Sequence, residues 1–307
     1  MRRRFAIPII AAIGVAPWLW FFPQPPAPDL PAKFLAVADI ETDADWMGGF
    51  SGLEISPDGG GFHTLTDRGY IAQGELIRVN GMLSSIQIDH SQPLRDRFGK
   101  QQEYPFTDAE GLAIDAEGRI YVSFEGAHRV LIYDTWESPA RWPSYTRAWR
   151  ALSINQGLEA LAVSPDGAIY SFPERVNTGA TESLVYRKLP NGPWSQPFTL
   201  PVDREFAPVG ADFGPDGLLY ILERAIYPFG FYSRVRSMSV SPEGVDNIQT
   251  VLQTRLGKFG NLEGLSVWRD DTDMLRLTMV SDDNFYPFMR GRIVEYGIDQ
   301  GVAMANQ

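Results

Sequence analysis

Cysteine is absent from the 307-residue chain, and histidine occurs only as His63, His90 and His128. The lack of cysteine excludes disulfide bonds, thiolate catalysis and cysteine-ligated zinc. A histidine-rich zinc site would need all three histidines, so we do not expect one. The sequence also contains neither a nucleophile elbow nor a phosphate-binding glycine loop. These absences exclude several common catalytic centres.

Positive charge is also scarce. The chain carries 27 lysine and arginine residues against 38 aspartate and glutamate residues, a formal net charge of −11. Because the nucleic-acid backbone attracts basic surfaces, this balance argues against nucleic acid as a partner. It favours a cationic ligand such as a metal ion. The hydrophobic fraction of 44% predicts a packed core and excludes global disorder.

Long helical periodicity is missing after residue 32, whereas glycine (29 residues) and proline (23 residues) are frequent. The chain instead repeats a pattern: an acid or small residue, a short strand, a turn, a second strand and an acid. The five copies begin at Ser51, Glu110, Glu159, Val209 and Glu263, spaced 49 to 59 residues apart. Asp-Gly turns between the paired strands supply the positive φ that tight hairpins need. This period and content predict an all-β fold, a β-propeller.

The propeller is predicted to span residues 33–300 and to have five blades. Residues 291–299 supply the third strand of the last blade, and nothing remains for a fourth. The strand at 33–41 precedes the first repeat, so we expect it to complete the last blade and close the ring. A six-bladed ring is the alternative, if residues 70–105 contain a degenerate blade. Residues 301–307 form a C-terminal tail.

The amino terminus has the pattern of a targeting segment. Three arginines at 2–4 precede an uncharged apolar stretch at 5–22, and residues 23–32 form a proline-rich linker. A basic start followed by an apolar stretch is typical of a signal peptide or signal anchor, here assigned to residues 1–22. We therefore predict export, either to the periplasm or to the outer face of the inner membrane. Contact with a membrane is expected only through this segment.

Blade geometry predicts where the chemistry lies. The innermost strand begins at the first residue of each repeat, and the antiparallel second strand ends at its last acid. Both positions therefore lie at the same end of the hairpin, and a ring of blades gathers them at one mouth of the central channel. Carboxylates at short range raise one another's pKa, and a calcium ion with oxygen ligands would compensate their charge.

The predicted roles follow from this geometry. The candidate metal ligands are Asp67, Glu110, Glu159, Glu223, Glu263, Asp282 and Asp283. The candidate general bases are Glu125 and Glu174. The candidate substrate-binding residues are Arg68, Arg175 and Arg224, which would clamp an anionic group, and Tyr227 and Tyr286, each four residues after an acid. In a purely structural alternative, the arginines pair with neighbouring acids and the glutamates cap strand-end amides.

Several motifs together resemble those of the phytase-like proteins, known as "esterase-like activity of phytase" domains. They are GGFSGLE at 48–54, LTDRG at 65–69, TDAEGLAID at 107–115, GLEALAVSPDG at 157–167, ERVN at 174–177, NLEGLSV at 261–267 and VSDDNF at 280–285. The resemblance covers residues 33–300. It implies a β-propeller, an exported bacterial protein and calcium-dependent hydrolysis of phosphate or other esters.

Two functions are compatible with these observations. The first is an exported calcium-dependent esterase or phosphoesterase acting on a small anionic or ester substrate. Because inositol hexakisphosphate demands dense positive charge, a smaller phosphoester, a lactone or a carboxylic ester fits the three arginines better. The second is a non-catalytic extracytoplasmic binding or scaffold propeller. The sequence leaves the substrate and the oligomeric state open.

Overall fold

The computed structural model describes residues 29–41, 48–103, 105–153, 157–174, 181–203, 205–228, 230–283 and 290–299. These residues form a five-bladed β-propeller, which confirms the predicted fold class. The strand β1 (Lys33–Asp39) pairs antiparallel with the last strand of the chain, β21 (Arg292–Ile298). The amino-terminal strand therefore closes the ring, as predicted from the sequence.

The first two blades follow β1 directly. Blade 1 contains β2 (Phe50–Ile55), β3 (Gly61–Thr66), β4 (Tyr70–Val79) and β5 (Met82–Pro93). Blade 2 contains β6 (Ala109–Ile114), β7 (Ile120–Phe124) and β8 (Arg129–Tyr133). Residues 70–93 are thus the outer strands of blade 1. The six-bladed alternative, which needed a separate blade there, is not realised.

The other three blades repeat the same order from the inside outward. Blade 3 contains β9 (Leu158–Val163), β10 (Ile169–Pro173), β12 (Tyr186–Lys188) and β13 (Trp194–Ser195), beside a small sheet of β11 (Glu182–Leu184) and β14 (Thr199–Pro201). Blade 4 contains β15 (Ala207–Phe213), β16 (Leu219–Tyr227), β17 (Gly230–Val240) and β18 (Val245–Gln253). Blade 5 contains β19 (Asn261–Arg269), β20 (Leu275–Asp282), β21 and β1. A short 3₁₀ helix, Arg147–Ala151, precedes blade 3.

Apolar side chains pack between neighbouring blades rather than within one blade. Phe50 and Phe62 of blade 1 belong to one buried cluster with Val280 and Ile293 of blade 5. The four other interfaces between adjacent blades each hold a cluster of the same kind. Because each blade buries both faces against its neighbours, the ring is one cooperative core.

Glycines let the innermost strands approach closely at the centre. A Cβ atom on Gly111 would lie 2.6 Å from Cβ of Leu161 and 2.8 Å from the carbonyl oxygen of Glu159. A Cβ atom on Gly264 would lie 2.7 Å from the backbone nitrogen of Leu53. The axis is therefore almost filled, and the remaining central cavity measures only about 10 Å³. The two ends of the propeller are separate surfaces.

The amino-terminal residues 1–22, most of the 23–32 linker and the 301–307 tail lie outside the described residues. Within the described part of the chain, no helix is long and apolar enough to cross a membrane.

Candidate functional site

One backbone contact recurs at the same end of three blades and positions three acids. The backbone N–H groups of Asp67 and Glu125 donate to the carbonyl oxygens of Gly49 and Asp108, each at 2.8 Å. That of Glu174 donates to the carbonyl oxygen of Gly157 at 3.1 Å. Each acid directly follows the second strand of its blade. The carbonyl group that it contacts lies two residues before the first residue of the repeat, which is Ser51, Glu110 or Glu159. The predicted meeting of strand starts and strand ends is thus present.

These contacts assemble a group of side chains that we call the acidic mouth. It consists of Asp67, Asp108, Glu110, Glu125, Glu159, Glu174, Arg224 and Glu263. Every blade contributes at least one member. Glu110 illustrates the linkage, since its largest charge interactions are with carboxyl groups of blades 3 and 5 and of its own blade. The mouth therefore concentrates negative charge at one end of the axis.

Three carboxyl groups of blade 2 lie closest together. Each of these residues, Asp108, Glu110 and Glu125, has one carboxylate oxygen that lies within 4.8 Å of the corresponding oxygens of the other two. Burial and repulsion from neighbouring acids raise the pKa of Glu110 well above its usual value. Burial also raises the pKa of Asp108, and that of Glu125. This arrangement favours either protonated carboxyl groups or a cation among them.

Carboxyl groups also lie side by side in two pairs, Asp108 with Glu110 and Glu125 with Glu159. Two neighbouring carboxylates repel each other unless a proton or a cation lies between them. Burial and the nearby Glu174 raise the pKa of Glu159 well above its usual value. Glu125 also accepts a hydrogen bond of 2.9 Å from the backbone nitrogen of Gly157, which joins blades 2 and 3.

The other side of the acidic mouth is compensated by Arg224. Its guanidinium forms an ion pair with Glu263, donates to Asn261 Oδ1 at 2.8 Å and lies 3.1 Å from Glu174 Oε1. Burial lowers the pKa of Arg224, but the surrounding carboxylates outweigh this and raise it. Asn261 in turn donates to Glu263 at 2.7 Å. The mouth is thus divided into an uncompensated part in blade 2 and an arginine-bound part between blades 3 and 5.

Asp67 lies at the edge of the uncompensated part. Its pKa is raised to about 7 by burial and by repulsion from Asp108. Within the described residues its Oδ1 atom is buried and has no hydrogen-bond partner. A Cβ atom on Gly49 would lie 2.3 Å from this oxygen, so the neighbouring glycine, at φ +66°, makes room for it. An orphaned acceptor beside other acids is a suitable position for a cation.

Two predicted site residues lie apart from this group. Glu223 is fully buried within blade 4, where Arg236 forms a two-pronged ion pair with it and Arg234 adds another. Tyr227, at the end of β16, donates to Glu205 and packs edge-on against Tyr232. The structure brings neither Glu223 nor Tyr227 into the acidic mouth.

The remaining predicted residues lie near the mouth or outside the described chain. Asp283 accepts a hydrogen bond of 3.1 Å from the backbone nitrogen of Gly49, and Asp282 is buried opposite Asn261 in the strand register. Arg68 is exposed, and its charge lowers the pKa of Asp67 against the larger effect of burial. Arg175 and Tyr286 fall outside the described residues.

Asp108 is the one member of the closest trio that sequence reasoning missed. It stands two residues before Glu110, where blades 1 and 3 have Gly49 and Gly157. The repeat pattern was built from the first and last acids of each copy, so this position was not compared. An alignment of the repeats at this position would have shown an acid in blade 2 where two other blades have glycine, and could have indicated Asp108 as a site residue.

Comparison with known protein families identifies this propeller. The phytase-like family, described as "Esterase-like activity of phytase", matches residues 45–285. The chain belongs to the phytase-like family. The match spans the acidic mouth, and it confirms the resemblance inferred from the motifs. A comparison with proteins of curated function gave no match.

Solved structures similar to this phytase-like chain are distant from it in sequence. Virginiamycin B lyase from Staphylococcus aureus is 14% identical, with a TM-score of 0.42 over 85% of this chain and 73% of that one. A Dyadobacter fermentans protein of unknown function is 11% identical, with a TM-score of 0.48 over 88% of this chain and 100% of that one. A putative gluconolactonase is 12% identical, with a TM-score of 0.44 over 90% and 96%. At these values the likeness carries no information about activity.

Proposed function

We propose that this phytase-like protein is an exported, calcium-dependent hydrolase of small phosphate or other esters, acting at the acidic mouth. The observation that carries the proposal is the convergence of Asp108, Glu110 and Glu125 within 4.8 Å. Membership in a family named for esterase-like activity supports the reaction class.

The donor set fits calcium. Calcium binds carboxylate oxygens at about 2.3–2.6 Å, so two oxygens on one ion lie at most about 5 Å apart. The trio satisfies that limit. The orphaned Oδ1 of Asp67 offers a further oxygen beside the trio. Asp108, Glu110 and Glu125 would therefore hold the ion, with Asp67 as the neighbouring acceptor.

Each group has a defined contribution to such a reaction. Bound calcium supplies positive charge that polarises a phosphoryl or carbonyl oxygen. Burial and Glu174 raise the pKa of Glu159, which lies beside Glu125, and an ion bound at Glu125 would favour the ionised form of Glu159. Arg224 holds the side chains of Glu174 and Glu263 in place through its ion pairs with them. Because its guanidinium already has these partners, its role is positioning rather than the substrate clamp predicted from the sequence.

The first test is thermal unfolding of the full-length chain in mild detergent, with calcium or with a chelator. Calcium at 100 times its dissociation constant stabilises by about 2.7 kcal/mol, which raises Tm by roughly 5–10 °C for a protein of this size. The shift should disappear in Glu110→Gln and in Asp108→Asn. It should persist in Glu243→Gln, which removes the same charge from an exposed turn.

Turnover is measured on the same proteins with p-nitrophenyl phosphate and p-nitrophenyl acetate. Calcium-dependent hydrolysis that is lost in Glu110→Gln but kept in Glu243→Gln supports the proposal. A calcium shift without hydrolysis of any ester supports the binding propeller instead. The network of Arg224 with Glu174 and Glu263 is the observation that favours this second function. A shift that is equal in all variants would refute the metal site.

Export remains a part of the proposal that rests on residues 1–22. Fractionation of cells that express the full chain should recover it outside the cytoplasm or with the inner membrane. Deletion of residues 2–22 should retain the protein in the cytoplasm.

A further inference from the structure

The end of the propeller opposite the acidic mouth contains a cavity of about 830 Å³. Residues from all five blades line it, and the prolines of three hairpin turns, Pro57, Pro165 and Pro215, stand among them. No member of the acidic mouth is among its lining residues. Its size suits a small organic molecule. We call it the turn-side cavity, and nothing in the proposed esterase function uses it.

The five inner strands carry different residue types at one repeat position near the bottom of this cavity. The fourth residue of each repeat is Glu54, Ala113, Ala162, Asp212 and Ser266, in blade order. Blades 4, 5 and 1 are neighbours in the ring, so Asp212, Ser266 and Glu54 form a continuous polar row. The alanines of blades 2 and 3 show that the fold does not require an acid at this position.

Backbone and hydroxyl donors hold the row in place. Val267 donates its backbone N–H to Asp212 Oδ2 at 2.6 Å, and Ile114 donates its own to Glu54 Oε1 at 3.3 Å. The hydroxyl of Ser266 donates to Glu54 Oε2 at 3.3 Å. Burial raises the pKa of Asp212 to about 7, and burial together with Asp212 raises that of Glu54 well above its usual value.

The cations around the cavity are already engaged, within the part of the chain that the structure describes. Arg119 pairs with Asp115 and Glu117, Arg141 pairs with Asp134, and Arg269 pairs with Asp273. Lys188 donates to the backbone carbonyls of Leu189 and Gly192. No ion pair joins Glu54 or Asp212 to any of them. The charge of the polar row is therefore balanced either by protons on its own acids or by a cation that enters the cavity.

The walls above the row are apolar. Ile114, Val163, Phe213 and Val267 line the cavity beside the two acids. A hydrated metal ion would gain nothing from such walls, whereas an apolar group would be removed from water by them. The combination of an acidic bottom and apolar walls matches a molecule with a charged amine at one end and an apolar body.

We propose that the turn-side cavity binds an organic cation, a protonated amine that carries an apolar group. The ammonium contacts Glu54 and Asp212 beside Ser266, and the apolar group packs on Ile114, Val163 and Phe213. This site is distinct from the acidic mouth and does not depend on the proposed esterase function.

The test is calorimetric titration of the full-length chain with 2-phenylethylamine, and with uncharged 2-phenylethanol as the isosteric probe. The amine should bind at least about tenfold more tightly than the alcohol, which corresponds to about 1.4 kcal/mol. Glu54→Gln and Asp212→Asn should each weaken amine binding by at least about tenfold. Glu117→Gln, which changes an exposed acid of the same cavity, should leave it unchanged.

A second measurement, of proton release on binding, uses the wild-type protein alone. Because the two acids must ionise to receive the cation, amine binding to the wild-type protein at pH 6 should release protons. Titrations in buffers of different ionisation enthalpy detect that release. Equal affinities for amine and alcohol, binding without proton release at pH 6, or no saturable amine binding would each overturn the proposal. Calcium-dependent ester hydrolysis is unaffected by any of these outcomes.

Discussion

Buried carboxyl groups occur in two kinds of surroundings in this propeller. Glu223 and Glu295 are fully buried inside blades, and each is held by two arginines: Arg234 and Arg236 for the first, Arg78 and Arg276 for the second. The trio of Asp108, Glu110 and Glu125 in the acidic mouth has other acids as its main charged neighbours. Where a buried acid stabilises a blade, the fold thus places arginines beside it that neutralise its charge.

That difference separates acids that stabilise the fold from acids that are candidates for chemistry. A buried pair whose charges cancel stabilises the arrangement of two strands or two blades, as Arg78 does by reaching from blade 1 to Glu295 in blade 5. A buried group of like charges costs stability unless a proton or a cation joins it. Clusters of acids with perturbed pKa values are therefore candidates for chemistry. The following predictions test whether the two kinds of acid differ as described.

The largest effect is expected from Glu223→Gln. The change leaves Arg236 buried without its two-pronged carboxylate partner. Loss of one member of a buried ion pair costs about 3–5 kcal/mol. Denaturant unfolding should show this loss, whereas Glu110→Gln, measured with a chelator, should cost little because it removes repulsion. Similar losses in both variants would remove the distinction between the two kinds of acid.

A smaller loss of stability is expected from Arg224→Gln. This change removes the positive charge that pairs with Glu174 and Glu263. At pH 8 we expect a destabilisation of about 2 kcal/mol, since both acids lose their buried cation. At pH 5.5 the loss should shrink, because burial raises the pKa of Glu263 and its protonation relieves the repulsion. Arg141→Gln, which breaks an exposed ion pair with Asp134, is the matched control and should cost less than about 1 kcal/mol at both pH values. An equal loss at both pH values for Arg224→Gln would show that Arg224 only fills space.

The smallest effect is the dependence of stability on pH without calcium. The folded pKa of Asp67, about 7, is above its value in the unfolded chain, so the folded state binds more protons between these two values. Stability should therefore rise as pH falls from 8 to 5.5, by about 1–2 kcal/mol after allowance for partial exposure. Unfolding curves at a series of pH values measure the slope.

Asp67→Asn should reduce that slope, and calcium should flatten it, since the ion takes the place of the protons. Acids with lowered pKa, such as Asp115 and Asp270, lose their stabilising contribution only at more acidic pH. They do not interfere within this range. Burial lowers the pKa of His63 and of His128, so these histidines act in the opposite direction near pH 6. The slope is therefore compared between wild type and Asp67→Asn, and an unchanged slope in Asp67→Asn would contradict the raised pKa of Asp67.

Much of the fold was predictable because it depends on local patterns. Hairpins with Asp-Gly turns and inner strands with a fixed spacing specify blades, and the left-over strand at 33–41 matched the missing strand of the last blade. The number of blades was harder, since residues 70–93 could not be assigned to blade 1 by periodicity alone. The small sheet of β11 and β14 beside blade 3 has no counterpart in the other repeats within the described residues.

The candidate site was only partly predictable. Glu110, Glu159, Glu263, Asp67, Glu125 and Glu174 meet in the acidic mouth, since their place in the repeat fixes their place in the ring. Glu223 was grouped with them because it closes the fourth repeat. The equivalent residue is instead Arg224, and successive residues of a strand point to opposite faces. Strand β16 continues to Tyr227, so Glu223 is turned toward Arg236 in the interior of the blade.

The sequence by itself determined the blades, their order, the closure of the ring and the end at which the acids collect. These properties follow from spacing, alternation and turn chemistry, which act within one repeat. Only the tertiary structure decided which acids are compensated, because Arg224 meets Glu174 and Glu263 from two other blades. It alone placed Glu54 and Asp212 in one cavity at the far end. Charge pairing across a ring depends on distances between repeats, and a pattern along the chain does not contain them.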